Sequence, residues 1–388
     1  MALETPIFAD AHATTPVAPE VVAAMQPFWS THFANPASVH YARGRGASRA
    51  VEQARAALAS LVDCADPAAL IWTSGATEAN NAILQAMTRG ARGPRRRLIT
   101  VATEHASVLD PARQWAAQGW PLTVLPVAPA GLLDMASLQA ALDTDVVLVS
   151  VMHCNNEIGV IQDLQRIAAL THQAGAWLHS DVAQGLGLTP FSLRDSGVDF
   201  ASFSAHKIYG PKGVGALYAR PGRARQALQP WAYGGGQEGG LRAGTLNVPA
   251  IVGFGAAAQL MQARGKQDAA HLRAQRDALE AELCRRIDAL QINGAVHPGQ
   301  RHPGNLHISL PGANPGVLWQ HLRPIEVSAT SACHSRQAGG ASHVLRALGL
   351  SDETARASLR IGLCRDVSAR QIETLADVIT AAATQARA

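Results

Sequence analysis

The sequence predicts an α/β protein in which a large domain holds a mostly parallel sheet of about seven strands and a smaller C-terminal α/β domain follows. Three observations predict it. Between residues 67 and 219, short apolar runs alternate with stretches of helical periodicity. The polar and reactive residues concentrate immediately after those runs, where open α/β sheets gather ligands. A long charged helical stretch over 249–292 then separates this region from a second, shorter alternation.

Element by element, Thr15-Pro16 precedes a helix over about 18–33 that Pro27 interrupts. A second helix over 46–61 has Val51, Ala54, Leu58 and Leu61 at helical spacing. Strands are predicted over 70–73, 98–101, 122–127, 145–152, 177–180, 200–203 and 215–218, with helices over 77–88, 107–117 and 164–173 between them. Beyond the connector, strands over 307–310, 325–328 and 357–361 alternate with helices over 316–322, 342–348 and 369–383. The expected division is a large domain over 1–250, and a connector helix with a small domain over 251–388 that carries the loop around Cys333. Residues before about 16 are candidates to pack on the small domain. Gly234-Gly235-Gly236 with Gly239-Gly240 reads as a mobile or ligand-facing loop.

Composition narrows the function classes. Hydrophobic residues at 47% and charged ones at 16% suit a globular enzyme, and a net charge of +4 is small for 388 residues. Arg95-Arg96-Arg97, the densest basic tract, reads as a solvated turn, and no basic stripe interleaved with aromatics marks a nucleic-acid surface. Five scattered cysteines without CxxC pairing argue against a disulfide framework or a structural zinc site, and no metal site is expected. No apolar run reaches membrane-spanning length, and Met1 to Asp10 shows no secretory signal; a reducing, cytoplasmic location is expected.

The candidate chemistry lies at the strand ends. Only three lysines exist, Lys207, Lys212 and Lys266, and Lys207 alone follows an apolar run, beside His206. A partly desolvated amine there has a lowered pKa and suits Schiff-base chemistry. Ser74-Gly75-Ala76-Thr77 between strand and helix is either a phosphate cradle or an ordinary N-capping turn. Asp181 either pairs with a protonated pyridine nitrogen or caps the next turn. His105 either stacks on an aromatic cofactor and shuttles protons or is a hydrogen-bonded loop residue. Cys333 sits among small and polar residues, Ser328-Ala329-Thr330-Ser331-Ala332-Cys333-His334-Ser335, a context that exposes a thiol and, through His334, favours its thiolate. Arg360 in an otherwise buried strand suits a bidentate partner, either an amino-acid carboxylate or an internal acid.

Taken in order, the segments Ala13-Thr14-Thr15-Pro16, Asn35-Pro36-Ala37-Ser38, Thr73-Ser74-Gly75-Ala76-Thr77-Glu78, Asn155-Asn156-Glu157-Ile158-Gly159, Ser204-Ala205-His206-Lys207, Gly244-Thr245 and Ser331-Ala332-Cys333 resemble those of a known family. From about Phe8 to the C-terminus the chain resembles the fold-type I, class V aminotransferase group of pyridoxal-phosphate (PLP) enzymes, and within it the NifS/IscS type of cysteine desulfurase. The resemblance implies that Lys207 binds the cofactor covalently, Asp181 pairs with its ring nitrogen, His105 stacks on the ring, Gln184 meets the ring hydroxyl, and Asn155 lies near cofactor and substrate. Ala76, Thr77, Ser204 and His206 would hold the phosphate, with Thr245 reaching in from a neighbouring subunit of a homodimer. Asn35 and Arg360 would contact the carboxylate of L-cysteine. Cys333 would take the sulfur as a persulfide and pass it to an acceptor protein or small thiol, in iron–sulfur cluster assembly or another thiolation pathway. Ala205 stands where glycine is common before the His-Lys pair, Thr330 stands where many relatives have glycine, and 336–341 also departs from the usual pattern.

Rival readings are another class V PLP enzyme, an aminotransferase or selenocysteine lyase, which would not need Cys333, and a non-catalytic sulfur-relay protein, which would not need Lys207 or Asp181. A metal hydrolase built on the 15 histidines lacks HExxH-type spacing.

Overall fold

The computed structural model describes residues 6–90, 95–294, 297, 299–329 and 341–388. The first strand, β1 (Ile7–Phe8), is short. The central sheet is built from β2 (Leu70–Thr73), β3 (Arg97–Val101), β4 (Leu122–Leu125), β5 (Val146–Ser150), β6 (Trp177–Asp181), β7 (Phe200–Ser204) and β8 (Gly215–Ala219) in the order β2-β8-β7-β6-β5-β3-β4. All neighbours are parallel except that β8 runs antiparallel to both β7 and β2. The reversal has a simple cause: the 205–214 connection is too short for the crossover of a dozen or more residues that parallel neighbours need. That same connection carries Lys207.

β5 and β7 are buried at every residue, as a sheet covered on both faces requires. The helix Ala76–Gly90 packs over the sheet with Ala79, Ile83 and Met87 facing in. Helix Val248–Arg286 follows the sheet; Ile251, Phe254 and Met261 belong to the large core, and Leu272, Leu279 and Leu283 to a second core. The second core is built on the antiparallel strands β9 (Gln291–Ile292), β10 (Asn305–Ser309) and β12 (Ser358–Gly362) with helix Ala369–Arg387. Strand β11 (Ile325–Glu326) pairs in parallel with β1, and Ala9 and Ala11 bond to both ends of Gly362, so the first residues of the chain lie against this second unit.

Several elements differ from the sequence-based expectation, each for a local reason. Pro27 begins a separate short helix, Pro27–Ser30, after Pro19–Met25, because proline is tolerated in a first turn but not in a helix interior. Helix Met135–Ala141, shorter than the window in which helical periodicity is legible, is started by Asp134, whose carboxylate accepts the N–H groups of Ala136 and Ser137. The basic tract is not a solvated turn. Arg96 is exposed, but Arg95 donates to the carbonyls of Val146 and Ala174, and Arg97 to that of Ala141, so two of the three arginines tie the starts of inner strands to the connections beside them. The glycine-rich loop does not line the cleft that holds Lys207. The Glu238 side chain within it is buried, grips Arg55 at 2.9 and 3.0 Å, and accepts the Trp72 N–H at 2.7 Å. Among the described residues no helix is long and apolar enough to cross a membrane.

Candidate active site

At the carboxyl ends of β5, β6 and β7 lies a cleft of about 430 Å³ whose lining includes Thr77, His105, Asp181, Gln184, Lys207 and Arg360. A larger hollow of about 1060 Å³ elsewhere is lined by Arg89, His172, Asp199 and Arg220 and contains none of the candidate residues.

Lys207 ends a single 3₁₀ turn, Ala205–Lys207, directly after β7. The chain must reverse at once to enter β8, and Tyr209 does so in the left-handed region at φ 63°. That conformation costs a side-chain-bearing residue of order 1 kcal/mol. It is held by the Tyr209 N–H donating to Thr15 Oγ1 at 2.8 Å, by Tyr209 Oη accepting the Arg365 N–H at 2.8 Å, and by the Arg365 guanidinium 4.4 Å from the ring centroid. Gly210 is obligatory, since a Cβ there would stand 2.7 Å from the Ala205 carbonyl oxygen. The turn presents the Lys207 ammonium to the carbonyls of His12 and Ala13, the latter at 2.9 Å. The N-terminal segment thus supplies a rest for the lysine.

Asp181 ends β6. Its Oδ2 accepts from Asn80 Nδ2 at 2.7 Å and its Oδ1 from the Ala183 N–H at 2.9 Å. Asn80 also donates to Ser107 Oγ at 2.8 Å, and Ser107 Oγ lies 2.8 Å from His105 Nδ1. The His105 Nδ1 accepts the Ser107 N–H at 3.1 Å, capping helix Ala106–Ala117. An Nδ1 used as an acceptor fixes the neutral tautomer with its proton on Nε2. One polar chain therefore runs from His105 through Ser107 and Asn80 to Asp181. Two N–H donors orient the Asp181 carboxylate and leave it acceptor capacity for a third.

One end of the cleft is the turn Ser74–Thr77 at the N-terminus of helix Ala76–Gly90, with Ser204 and His206 also in the lining. The first N–H groups of a helix lack intrahelical partners and favour an anion. His206 donates or accepts at Thr14 Oγ1, 3.1 Å away; burial first, then the charges of Lys207 and Lys212, lower its pKa to about 4, so the ring is neutral at physiological pH. Glu78 ties the turn down. Its carboxylate accepts the Ser74 N–H at 2.7 Å, Trp231 Nε1 at 2.9 Å and Arg242 Nε at 3.0 Å. Burial alone would raise its pKa, but hydrogen bonds led by Arg242 outweigh that and hold it at about 2. The clasp therefore stays intact at acid pH where a free glutamate protonates, and its contribution is lost only as pH falls from about 4.5 toward 2. Glu78→Gln is expected to weaken binding of the pyridoxal phosphate that the resemblance implies about tenfold, through loss of one charge-assisted hydrogen-bond set, read by equilibrium dialysis. Unchanged affinity would show that the turn holds its shape without the clasp.

Gln184 is locked against His12: its Nε2 donates to the His12 carbonyl at 2.8 Å, and its Oε1 lies 3.4 Å from His12 Nδ1. Asn155 is 2% exposed and spends its amide on the protein. Nδ2 donates to the Thr103 carbonyl, and Oδ1 accepts the N–H groups of Glu157 and Ile158. Its neighbours Cys154 and Asn156 line the cleft instead. Arg360 is buried and ion-paired with Asp10 at 2.7 Å, and it also donates to the Asn156 carbonyl at 3.2 Å. Asn35 and Thr245 are exposed and lie outside the cleft; Asn35 lines a separate hollow with Arg55, Glu238 and Leu246.

Cys333 falls outside the described residues. On either side of that segment, Ser328 Oγ donates to Asp10 at 2.5 Å, Ser342 Oγ to Glu157 at 2.5 Å, and His343 Nε2 bonds the Glu104 carbonyl at 2.9 Å. Burial, as the first cause, raises the thiol pKa of the four described cysteines, Cys64, Cys154, Cys284 and Cys364, the last to about 12, which disfavours their thiolates.

Sequence reasoning missed Asn80, Ser107, His12, Glu78 and Asp10. For Asn80 a signal existed: it is a polar residue on the apolar face of its helix, between Ala79, Ala82 and Ile83. For Asp10 and His12 none did, since their partners lie hundreds of positions away.

The family model for the class-V aminotransferases matches residues 7–375. The chain belongs to the class-V aminotransferases. Over 371 residues, 96% of the chain and 91% of the relative, it is 42% identical to the cysteine desulfurase IscS of Anaeromyxobacter sp. (strain Fw109-5). A solved NifS-like protein superposes with TM-score 0.88 at 32% identity, covering 97% of this chain and 99% of that one. A solved SspA in complex with cysteine superposes with TM-score 0.81 at 31% identity, covering 92% and 99%. This class-V aminotransferase is of the NifS/IscS type, with the fold-type I architecture and pyridoxal 5′-phosphate as cofactor. The donor set fits that group: the Lys207 amine, the Asp181 carboxylate with acceptor capacity to spare, and a helix N-terminus meet in a single cleft.

Proposed function

We propose that this class-V enzyme is a cysteine desulfurase that converts L-cysteine to L-alanine and holds the released sulfur as a persulfide on Cys333. The observation that carries the reading is the convergence of an amine, a carboxylate and a guanidinium, from Lys207, Asp181 and Arg360, in one cleft. The likeness to desulfurases over nearly the whole chain supports it. Pyridoxal phosphate supplies, when bound, an electron sink for charge developing at the substrate Cα. In this reading Lys207 holds the cofactor and moves the proton at that carbon. Asp181, oriented by Asn80 and Ala183, keeps a proton on the ring nitrogen. His105 and Gln184 contact the ring and its hydroxyl, and Ala76, Thr77, Ser204 and His206 hold the phosphate. Arg360 takes the substrate carboxylate, with Asn35 in the same substrate-binding set, while Asn155 holds the turn that brings Cys154 and Asn156 to the cleft. Cys333 forms an S–S bond as the substrate Cβ–S bond breaks, and a proton returned to carbon completes alanine. The acceptor is a protein or small thiol, in iron–sulfur cluster assembly or another thiolation pathway.

The proposal includes a homodimer. Asn35 and Thr245 stand outside the cleft of their own chain, and the neighbouring Trp29, Phe33, Val39 and Tyr41 expose large apolar side chains. A second copy covers such a surface and brings both residues to a partner cleft. The proposed domains, 1–250 and 251–388, meet at helix Val248–Arg286, which packs into both cores.

After incubation with L-cysteine and no reductant, mass spectrometry should find one added sulfur atom on the peptide containing Cys333. Sulfur on Cys154 or Cys364 instead, or on no cysteine, would defeat the persulfide assignment.

A further inference from the structure

We propose that Asp10 is the positioning residue that presents Arg360 to the substrate carboxylate, a step further that rests on reading Arg360 as the carboxylate contact. Arg360 carries five N–H donors in a rigid fork. Asp10 Oδ1 accepts from one Nη2 at 2.7 Å, and the Asn156 carbonyl accepts from Nη1 at 3.2 Å. The Nε–H has no hydrogen-bond partner among the described residues although Arg360 is only 1% exposed, and the residue lines the cleft. A buried guanidinium that lines a cleft and keeps an unfilled donor is arranged to receive an anion.

The other groups against Arg360 neither compete for that edge nor replace Asp10. His307, its cross-strand neighbour, is fully buried and held neutral, first by burial and then by the arginine charge. Ser328, bridged to Arg360 through the backbone, spends its hydroxyl on Asp10 Oδ2 at 2.5 Å. Both Asp10 oxygens are thus engaged, and Asp10 itself is fixed by Ala9 and Ala11 bonding to Gly362. The carboxylate fastens one corner of the fork and so sets the direction of the rest. Without it the guanidinium keeps only the bond to the Asn156 carbonyl, and the fork is less well aimed to meet a planar carboxylate on two donors. Asp10 touches neither cofactor nor substrate in this arrangement; it acts through Arg360.

The test measures kcat and KM of the cofactor-loaded enzyme for L-cysteine and for L-cysteine methyl ester, which lacks the carboxylate charge. For wild type, the ester should have the higher KM. Asp10→Asn should raise KM for L-cysteine about tenfold, the worth of one charge-assisted hydrogen bond, with kcat within about twofold and KM for the ester unchanged within about twofold. Ser328→Ala, a milder change that spares the ion pair, should raise only the L-cysteine KM, by about threefold. Equal KM values for acid and ester in the wild type would overturn the role of Arg360, and this inference with it. A wild-type preference for the acid that both variants keep in full, or KM rising equally for acid and ester, would overturn the role of Asp10 alone.

Discussion

Lys207→Ala lowers turnover of L-cysteine by about 10⁴-fold, because one residue supplies both the covalent hold on the cofactor and the proton transfer at the reacting carbon. The sequence offers no replacement: of the other two lysines, Lys212 also lines the cleft, but on a Pro-Gly-flanked turn, and Lys266 lies on helix Val248–Arg286. Borohydride reduction of the loaded protein separates the cases. Wild type retains the cofactor covalently on the peptide containing Lys207, whereas Lys207→Ala loses it on denaturation. Covalent retention by the variant, or attachment at Lys212 in the wild type, would reassign the amine. The variant should fold, since the Lys207 side chain is only partly buried and water can satisfy the His12 and Ala13 carbonyls it bonds.

Asp181→Asn is expected to lower kcat by about 10³-fold, about 4 kcal/mol, while the protein still binds the cofactor. The carboxylate is the acceptor that keeps a proton on the ring nitrogen, and an amide lacks the charge to hold it. The substitution also turns Asn80 Nδ2 and the Ala183 N–H toward a group with a single acceptor oxygen. The absorbance of the bound cofactor should therefore change along with kcat. A variant with wild-type kcat would place the ring nitrogen elsewhere in the cleft.

Lys207 and Asp181 were legible in the sequence because both sit directly after apolar strands, where chain direction alone forces convergence. His105 was legible in place but not in tautomer, which depends on Ser107 folding back over two residues. Of the two sequence readings of Arg360, the internal ion pair is present, with Asp10, and the residue also lines the cleft. What could not be read is what arrives from far along the chain. Asp10 is 350 positions from Arg360, and His12 is 195 from Lys207. No periodicity encodes such pairings; they follow from β1 docking beside β11. The direction of β8 was hidden for a different reason, since an apolar run looks the same in either orientation. Asn155 illustrates one-residue uncertainty in a tight turn, where it shapes the backbone while Cys154 and Asn156 face the cleft.

The most direct test of the central claim is to quantify alanine and sulfide formed from L-cysteine with a reductant, for wild type and Cys333→Ala. The account predicts equal amounts of the two products from wild type and neither from the variant, which should still bind pyridoxal phosphate. Full sulfide release by Cys333→Ala, or alanine formed without sulfide, would contradict it.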